Sequence, residues 1–171
     1  MSRSTVRVAV VLVIIAGSVL RFATASPLWL DEALSVHIAT GDASLTEALR
    51  QDGHPALFYL LLGWWIDVFG DGDTAVRALS GVLSLITVPV IWMATRRYGR
   101  DVAIATLLLV ATSPYLIRYA TETRMYALVV LIIALGWWAL EAAWEQPTAR
   151  RLLPVAAITA AAVHTHYWTF Y

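Results

Sequence analysis

A chain of 171 residues in which 60% are hydrophobic and only 14% charged, with a mean hydropathy of +0.69, is too apolar for a soluble domain and reads as an integral membrane protein. Its 12 basic residues, all Arg, are balanced by 12 acidic ones, so no basic field marks it for nucleic acid. Without Cys it forms neither a disulfide nor a thiolate metal site.

The first apolar run, about Val8 to Ala25, is close to the roughly 18 to 20 residues that a helix needs to cross a bilayer, with Arg21 near its far end where the side chain can snorkel. Its flanks resemble a signal sequence: Arg3 and Arg7 precede the apolar stretch, and Ala23-Thr24-Ala25 offers small residues to a peptidase. Arg21 and the spans that follow argue against removal. Next comes Trp29-Leu30-Asp31-Glu32, two adjacent carboxylates where a membrane helix should meet water. Ionisable groups in that setting are exposed loop residues, pair partners or parts of a site for a polar substrate.

Asp31 is placed to cap a short helix to about Ala39, with Leu34 and Ile38 on one face and Gly41 as the stop. Ser44 and Glu47 have capping-box spacing, which predicts a second short helix. The apolar stretch Ala56 to Phe69 is too short to span comfortably and reads as juxtamembrane or re-entrant. Further spans are expected at about 75–95, 102–117, 125–144 and 152–168.

With the N-terminus inside, the inner segments carry Arg3, Arg7, Arg96, Arg97, Arg100, Arg150 and Arg151, against Arg21, Arg50, Arg77, Arg118 and Arg124 outside. If Ala56 to Phe69 spanned, the excess would reverse, so the positive-inside rule favours a cytoplasmic N-terminus. Asp31, Glu32 and Glu122 then face one outer compartment. The expected fold is all-α: a polytopic helical bundle with juxtamembrane helices in its first outer loop.

Several stretches carry a family resemblance: Trp29-Leu30-Asp31-Glu32; Gly53-His54-Pro55 before an aromatic apolar run; Arg77 opening a span; Arg96-Arg97-Tyr98-Gly99; Ser113-Pro114; Glu122-Thr123-Arg124-Met125-Tyr126-Ala127-Leu128; and His164-Thr165-His166-Tyr167. Together they resemble the N-terminal part of polytopic C-type glycosyltransferases, the group of protein O-mannosyltransferases and aminoarabinose transferases. The resemblance implies transfer of a sugar, mannose in some members, from a polyprenyl-phosphate donor to a glycan, lipid or protein acceptor at the outer face of the plasma membrane. It makes Asp31 the general base with Glu32 beside it, and His54, Arg118, Glu122 and Arg124 the substrate-binding residues. Some relatives hold a divalent metal, Mg or Mn, between carboxylates, which here would be Asp31 and Glu122. Residues 1–171 then form an N-terminal module with no turnover of its own, because members of that group are longer.

Plainer roles remain open for each residue. Asp31 can be a helix cap, Glu32 a solvated first-turn acid, Glu122 an i to i+4 partner of Arg118, and His54 a shaper of the next helix. Trp29, Trp64 and Trp65 suit interface anchors. His164 and His166 would lie on different faces of a continuing helix, against a metal pair. A transporter or a noncatalytic assembly subunit would also place charges at the mouths of its spans.

Overall fold

The computed structural model describes residues 3–41 and 45–170, and among these it is helical throughout with no strand. Helix α1 (Arg3–Leu20) is followed by the short helices α2 (Leu30–Thr40), α3 (Leu45–Asp52) and α4 (Leu57–Phe69). The long α5 (Asp73–Thr95), α6 (Arg100–Thr112), α7 (Pro114–Ala120), α8 (Tyr126–Glu145) and α9 (Ala149–Val163) complete the bundle. Two helices are long and apolar enough to cross a bilayer, Asp73–Tyr98 and Tyr126–Glu145, and the bent pair α6 and α7 makes a third if taken as one. At 13 residues, α4 is only about 20 Å long, short of the roughly 30 Å hydrocarbon core.

Helix α5 is the centre of the bundle and packs against α4, α6, α7 and α8, while α9 lies on α8 and α1 on α6. Its buried stripe alternates Val76, Leu79, Leu83 and Val90 with the small Ser80, Ser84 and Thr87. Small residues let neighbouring backbones approach closely where lipid offers no hydrophobic drive between helices. Phe58, Tyr59 and Leu62 of α4, and Leu128, Leu131 and Ile132 of α8, fill the core around that stripe.

Three sequence expectations are corrected. The run expected at 102–117 is not one straight helix: α6 and α7 meet at 58°. Ser113 caps α7 by accepting the Leu116 amide at 3.4 Å, and Pro114 takes its first position. The first helix ends at Leu20, not Ala25, because Arg21 turns inward. Arg21 does not snorkel but is 1% exposed. Its guanidinium donates to the carbonyls of Gly17 (2.6 Å), Val110 (2.7 Å) and Ala111 (3.4 Å) and to Ser84 Oγ (2.9 Å). In a continuing helix the Val110 carbonyl would receive the amide of residue 114, which is proline and has none. Arg21 supplies the missing donor and places positive charge at the negative end of α6. A Cβ on Gly17 would stand 2.2 Å from the Ala111 oxygen, so α1 and α6 meet backbone to backbone there.

The third correction concerns α2. Its N-cap is Trp29, and Asp31 lies inside the first turn. The capping carboxylate is that of Glu32, which reaches back to the Trp29 amide at 3.2 Å, as an acid at the third helical position can. Helix α2 ends before Gly41, whose φ of −72° is not the left-handed conformation expected of a glycine stop. Ser44, expected to cap the next helix, lies outside the described residues, although α3 itself forms.

Candidate functional site

The chain from the end of α1 into α2, the start of α5 and the segment between α7 and α8 meet around Glu32. Its Oε1 accepts Arg77 Nε at 2.8 Å and the Thr123 amide at 2.9 Å, and its Oε2 accepts Arg77 Nη2 at 2.5 Å as well as the Trp29 amide. Arg77 donates its remaining hydrogens to Thr24 Oγ1 (3.1 Å), the Ser26 carbonyl (2.5 Å) and the Pro27 carbonyl (3.0 Å). Glu32 is therefore no solvated acid: its side chain is fully buried. Burial works to raise its pKa, but the bonds from Arg77, Thr123 and Trp29 outweigh burial and hold it below the usual carboxylate value.

Asp31, one residue earlier, is in the opposite condition. It is half-buried, and among the described residues its carboxylate has no hydrogen-bond or ion-pair partner. Its backbone carbonyl accepts Ser35 Oγ at 2.8 Å and faces Arg124 Nη1 at 3.4 Å. The rigid neighbour and the unpaired acid share one helical turn.

A second cluster centres on Asp52, which the sequence reading did not single out. Gly53 turns the chain with a φ of +74°, so that His54 folds back and donates from Nδ1 to Asp52 Oδ2 at 2.9 Å. The Tyr59 hydroxyl donates to the same oxygen. Burial, reinforced by Asp52, pushes the Tyr59 phenol up from its ordinary pKa. Arg124 Nη1 stands 4.0 Å from Asp52 Oδ1 and 3.2 Å from Ser35 Oγ, while its Nε is buried without a partner. The ring of His166 lies 5.3 Å from that of His54, and the His164 carbonyl accepts the Leu57 amide at 3.0 Å. The chain thus leaves the helix at Val163 and brings His166 to this cluster, so a continuing helix is not its geometry. The Asp52-x-His54 spacing was the available signal; Arg124, 72 positions away, gave none.

The remaining candidates fall around Glu32. Arg118 Nε donates to Glu122 Oε1 at 2.5 Å, the i to i+4 pair that the spacing allows. Both line a polar cavity of about 150 Å³ with Glu32, Arg77, Trp29 and Thr24. The structure separates the sequence candidates into two groups, Arg118 and Glu122 beside Glu32, and His54 and Arg124 beside Asp52. Trp29 and Trp64 are exposed, whereas Trp65 is half-buried and donates to the Ala75 carbonyl at 2.8 Å. A larger cavity, about 520 Å³ between α1, α5 and α6, is lined mainly by aliphatic residues and lies away from these carboxylates.

Of the two carboxylates expected to hold a divalent cation, Asp31 is unpaired among the described residues, whereas Glu122 accepts from Arg118 Nε, and no group of three His, Asp or Glu side chains is gathered among those residues.

Compared with known families, residues 53–171 match the model of dolichyl-phosphate-mannose-protein mannosyltransferase, more than half of the chain. The chain belongs to this family. No curated protein and no solved structure matches it. As a member of the mannosyltransferase family it is a multi-pass membrane glycosyltransferase of the C type. The matched region contains His54, Arg77, Arg118, Glu122 and Arg124 and begins one residue after Asp52. Asp31, Glu32 and Asp52 lie before it, so their assignments in this mannosyltransferase-family chain rest on geometry.

Proposed function

We propose that this protein transfers a sugar from a polyprenyl-phosphate donor to an acceptor hydroxyl at the outer face of the plasma membrane, with Asp31 as general base. The observation that carries the reading is the contrast within one turn of α2: Glu32 is fully engaged, whereas the Asp31 carboxylate is accessible and unpaired. A base must be free to accept a proton and be held at a fixed place. The Glu32–Arg77 pair supplies the second condition by anchoring the turn.

In this reading Asp31 takes the hydroxyl proton as the acceptor oxygen bonds to the anomeric carbon. The bond from that carbon to the phosphate oxygen breaks, and its electron pair leaves with the phosphate. Arg124, whose guanidinium lies beside the Asp31 backbone, is oriented to meet the growing negative charge, with His54 alongside. Arg118 and Glu122 bound the adjoining polar cavity, suited to hydroxyl-rich groups of donor or acceptor. No step is routed through a metal.

The test is Asp31→Asn in the complete gene product, reconstituted in nanodiscs with a polyprenyl-phosphate sugar. The side chain keeps its size but loses the charge, so turnover is expected to fall roughly a hundredfold or more with melting unchanged. Near-normal turnover would remove Asp31 from the chemistry. Orientation is tested separately by single Cys residues at positions 42, 71, 98 and 146 with an impermeant thiol reagent. The first two are expected to label from outside and the last two from inside; labelling of 42 and 71 from opposite sides rejects the topology.

A further inference from the structure

Asp52 is the last residue of α3, where the negative end of the helix makes a carboxylate unfavourable, and its side chain is only 6% exposed. A buried acid persists there only if donors satisfy it. Two donors, His54 Nδ1 and the Tyr59 hydroxyl, converge on Oδ2, and the Arg124 cation faces Oδ1. The Arg124 contact is loose at 4.0 Å, and its Nε has no partner. The cluster is well held on the Asp52 side and incomplete on the side of the cation.

The bond from Nδ1 also fixes the imidazole. With Nδ1 engaged, Nε2 is the nitrogen that a ligand can use, beside the His166 ring 5.3 Å away. The His54 side chain is 24% exposed, so the ring is partly accessible to a ligand. One carboxylate therefore carries an oriented ring on one oxygen and an under-coordinated guanidinium on the other. Two such groups side by side are complementary to a phosphate, which offers several acceptor oxygens within a few ångströms.

We propose that Asp52 is a positioning residue of the donor site, setting His54 and Arg124 next to one another so that together they receive the phosphate of the lipid-linked sugar. The proposal rests on the transferase reading above. Tyr59 serves it by holding the Asp52 carboxylate in register, and Gly53 serves it through the left-handed turn that brings His54 back.

A double-mutant cycle in the complete gene product tests this, using Asp52→Asn, His54→Gln and the pair, with KM for a polyprenyl-phosphate sugar and KM for the acceptor as readouts. Asp52→Asn is expected to raise donor KM about tenfold, the usual scale for losing a hydrogen bond to a charged group, and to leave acceptor KM unchanged. In the His54→Gln background the same change should cost less than about threefold, because the ring it positions is gone. Equal effects in both backgrounds, or a lower melting temperature with unchanged donor KM, would overturn the proposal. Should Asp52→Asn fail to fold, Tyr59→Phe removes one hydroxyl donor from Asp52 and keeps the His54 bond: a several-fold rise in donor KM with acceptor KM unchanged supports positioning, and an unchanged donor KM rejects it. Asp31→Asn in the same preparation separates the two readings. If it abolishes turnover while Asp52→Asn is silent, only the positioning role falls; if it retains full turnover, the site itself and the proposal fall together.

Discussion

The two buried acid–arginine pairs at this end of the bundle differ in how completely they are satisfied. Glu32 and Arg77 use both carboxylate oxygens and every guanidinium hydrogen, and their partners come from the first loop, α5 and the segment before α8. Asp52 and Arg124 are 4.0 Å apart, with an unpartnered Nε on one side and a partly exposed His54 ring on the other. A saturated pair has no donor or carboxylate oxygen left over for a ligand and holds structure. An unsaturated pair leaves capacity that a ligand can fill. Two acid–arginine pairs thus differ in what they leave open because of the donors around them.

The largest expected effect breaks the saturated pair. Glu32→Gln leaves the Arg77 cation buried without its counter-charge and should cost about 3–5 kcal/mol, read as a large fall in melting temperature in detergent. A small fall would mean that the backbone carbonyls around Arg77 suffice. Arg124→Gln should behave differently, raising donor KM about tenfold, about 1.4 kcal/mol, with a much smaller change in melting. If Arg124→Gln instead unfolds the protein as Glu32→Gln does, the two pairs are alike and the contrast disappears.

Acidification separates them in another way. The folded Glu32 carboxyl has a lowered pKa, so its stabilising contribution is complete above the ordinary value of 4.5 and is lost as pH falls through the folded value. The stability gap between the natural protein and Glu32→Gln should therefore be constant between pH 7 and 5 and close only below the ordinary value of 4.5 in thermal melts. A gap that widens on acidification would contradict the sign. The smallest effect is expected from the third pair. Arg118 is 69% exposed, and Arg118→Gln should leave the melting temperature nearly unchanged, because solvent screens the pair.

How much of this was legible in the sequence follows from how far apart the partners lie. The all-α membrane fold, the short α4 and the Arg118–Glu122 pair are local properties of composition, length or spacing. Ser113-Pro114 was visible too, but its consequence, a 58° bend, was not drawn from it. Glu32 looked like a solvated acid because its ligands, Arg77 and the Thr123 amide, are 45 and 91 positions away. Asp52 was not singled out: two of its donors, His54 and Tyr59, are within seven residues, but Arg124, which faces its other oxygen, is 72 positions away. Asp31 was selected for its setting, and what the sequence could not supply was that its neighbour, rather than Asp31 itself, caps the helix.

The Arg21 junction has a consequence for the order in which the molecule is made. Its carbonyl partners at Val110 and Ala111 are encoded 89 and 90 positions later. At roughly 5 to 20 residues per second, the ribosome takes several seconds or more to reach them. During that interval the guanidinium has no α6 to meet, and an uncompensated cation is costly in hydrocarbon. If the nascent first helix enters the bilayer ahead of α6, Arg21 has to stay at the bilayer edge until the α6 carbonyls arrive. The last carbonyls of α6 and the end of α1 complete each other in one late docking step, and the bend at Ser113-Pro114 has its donor only from that moment.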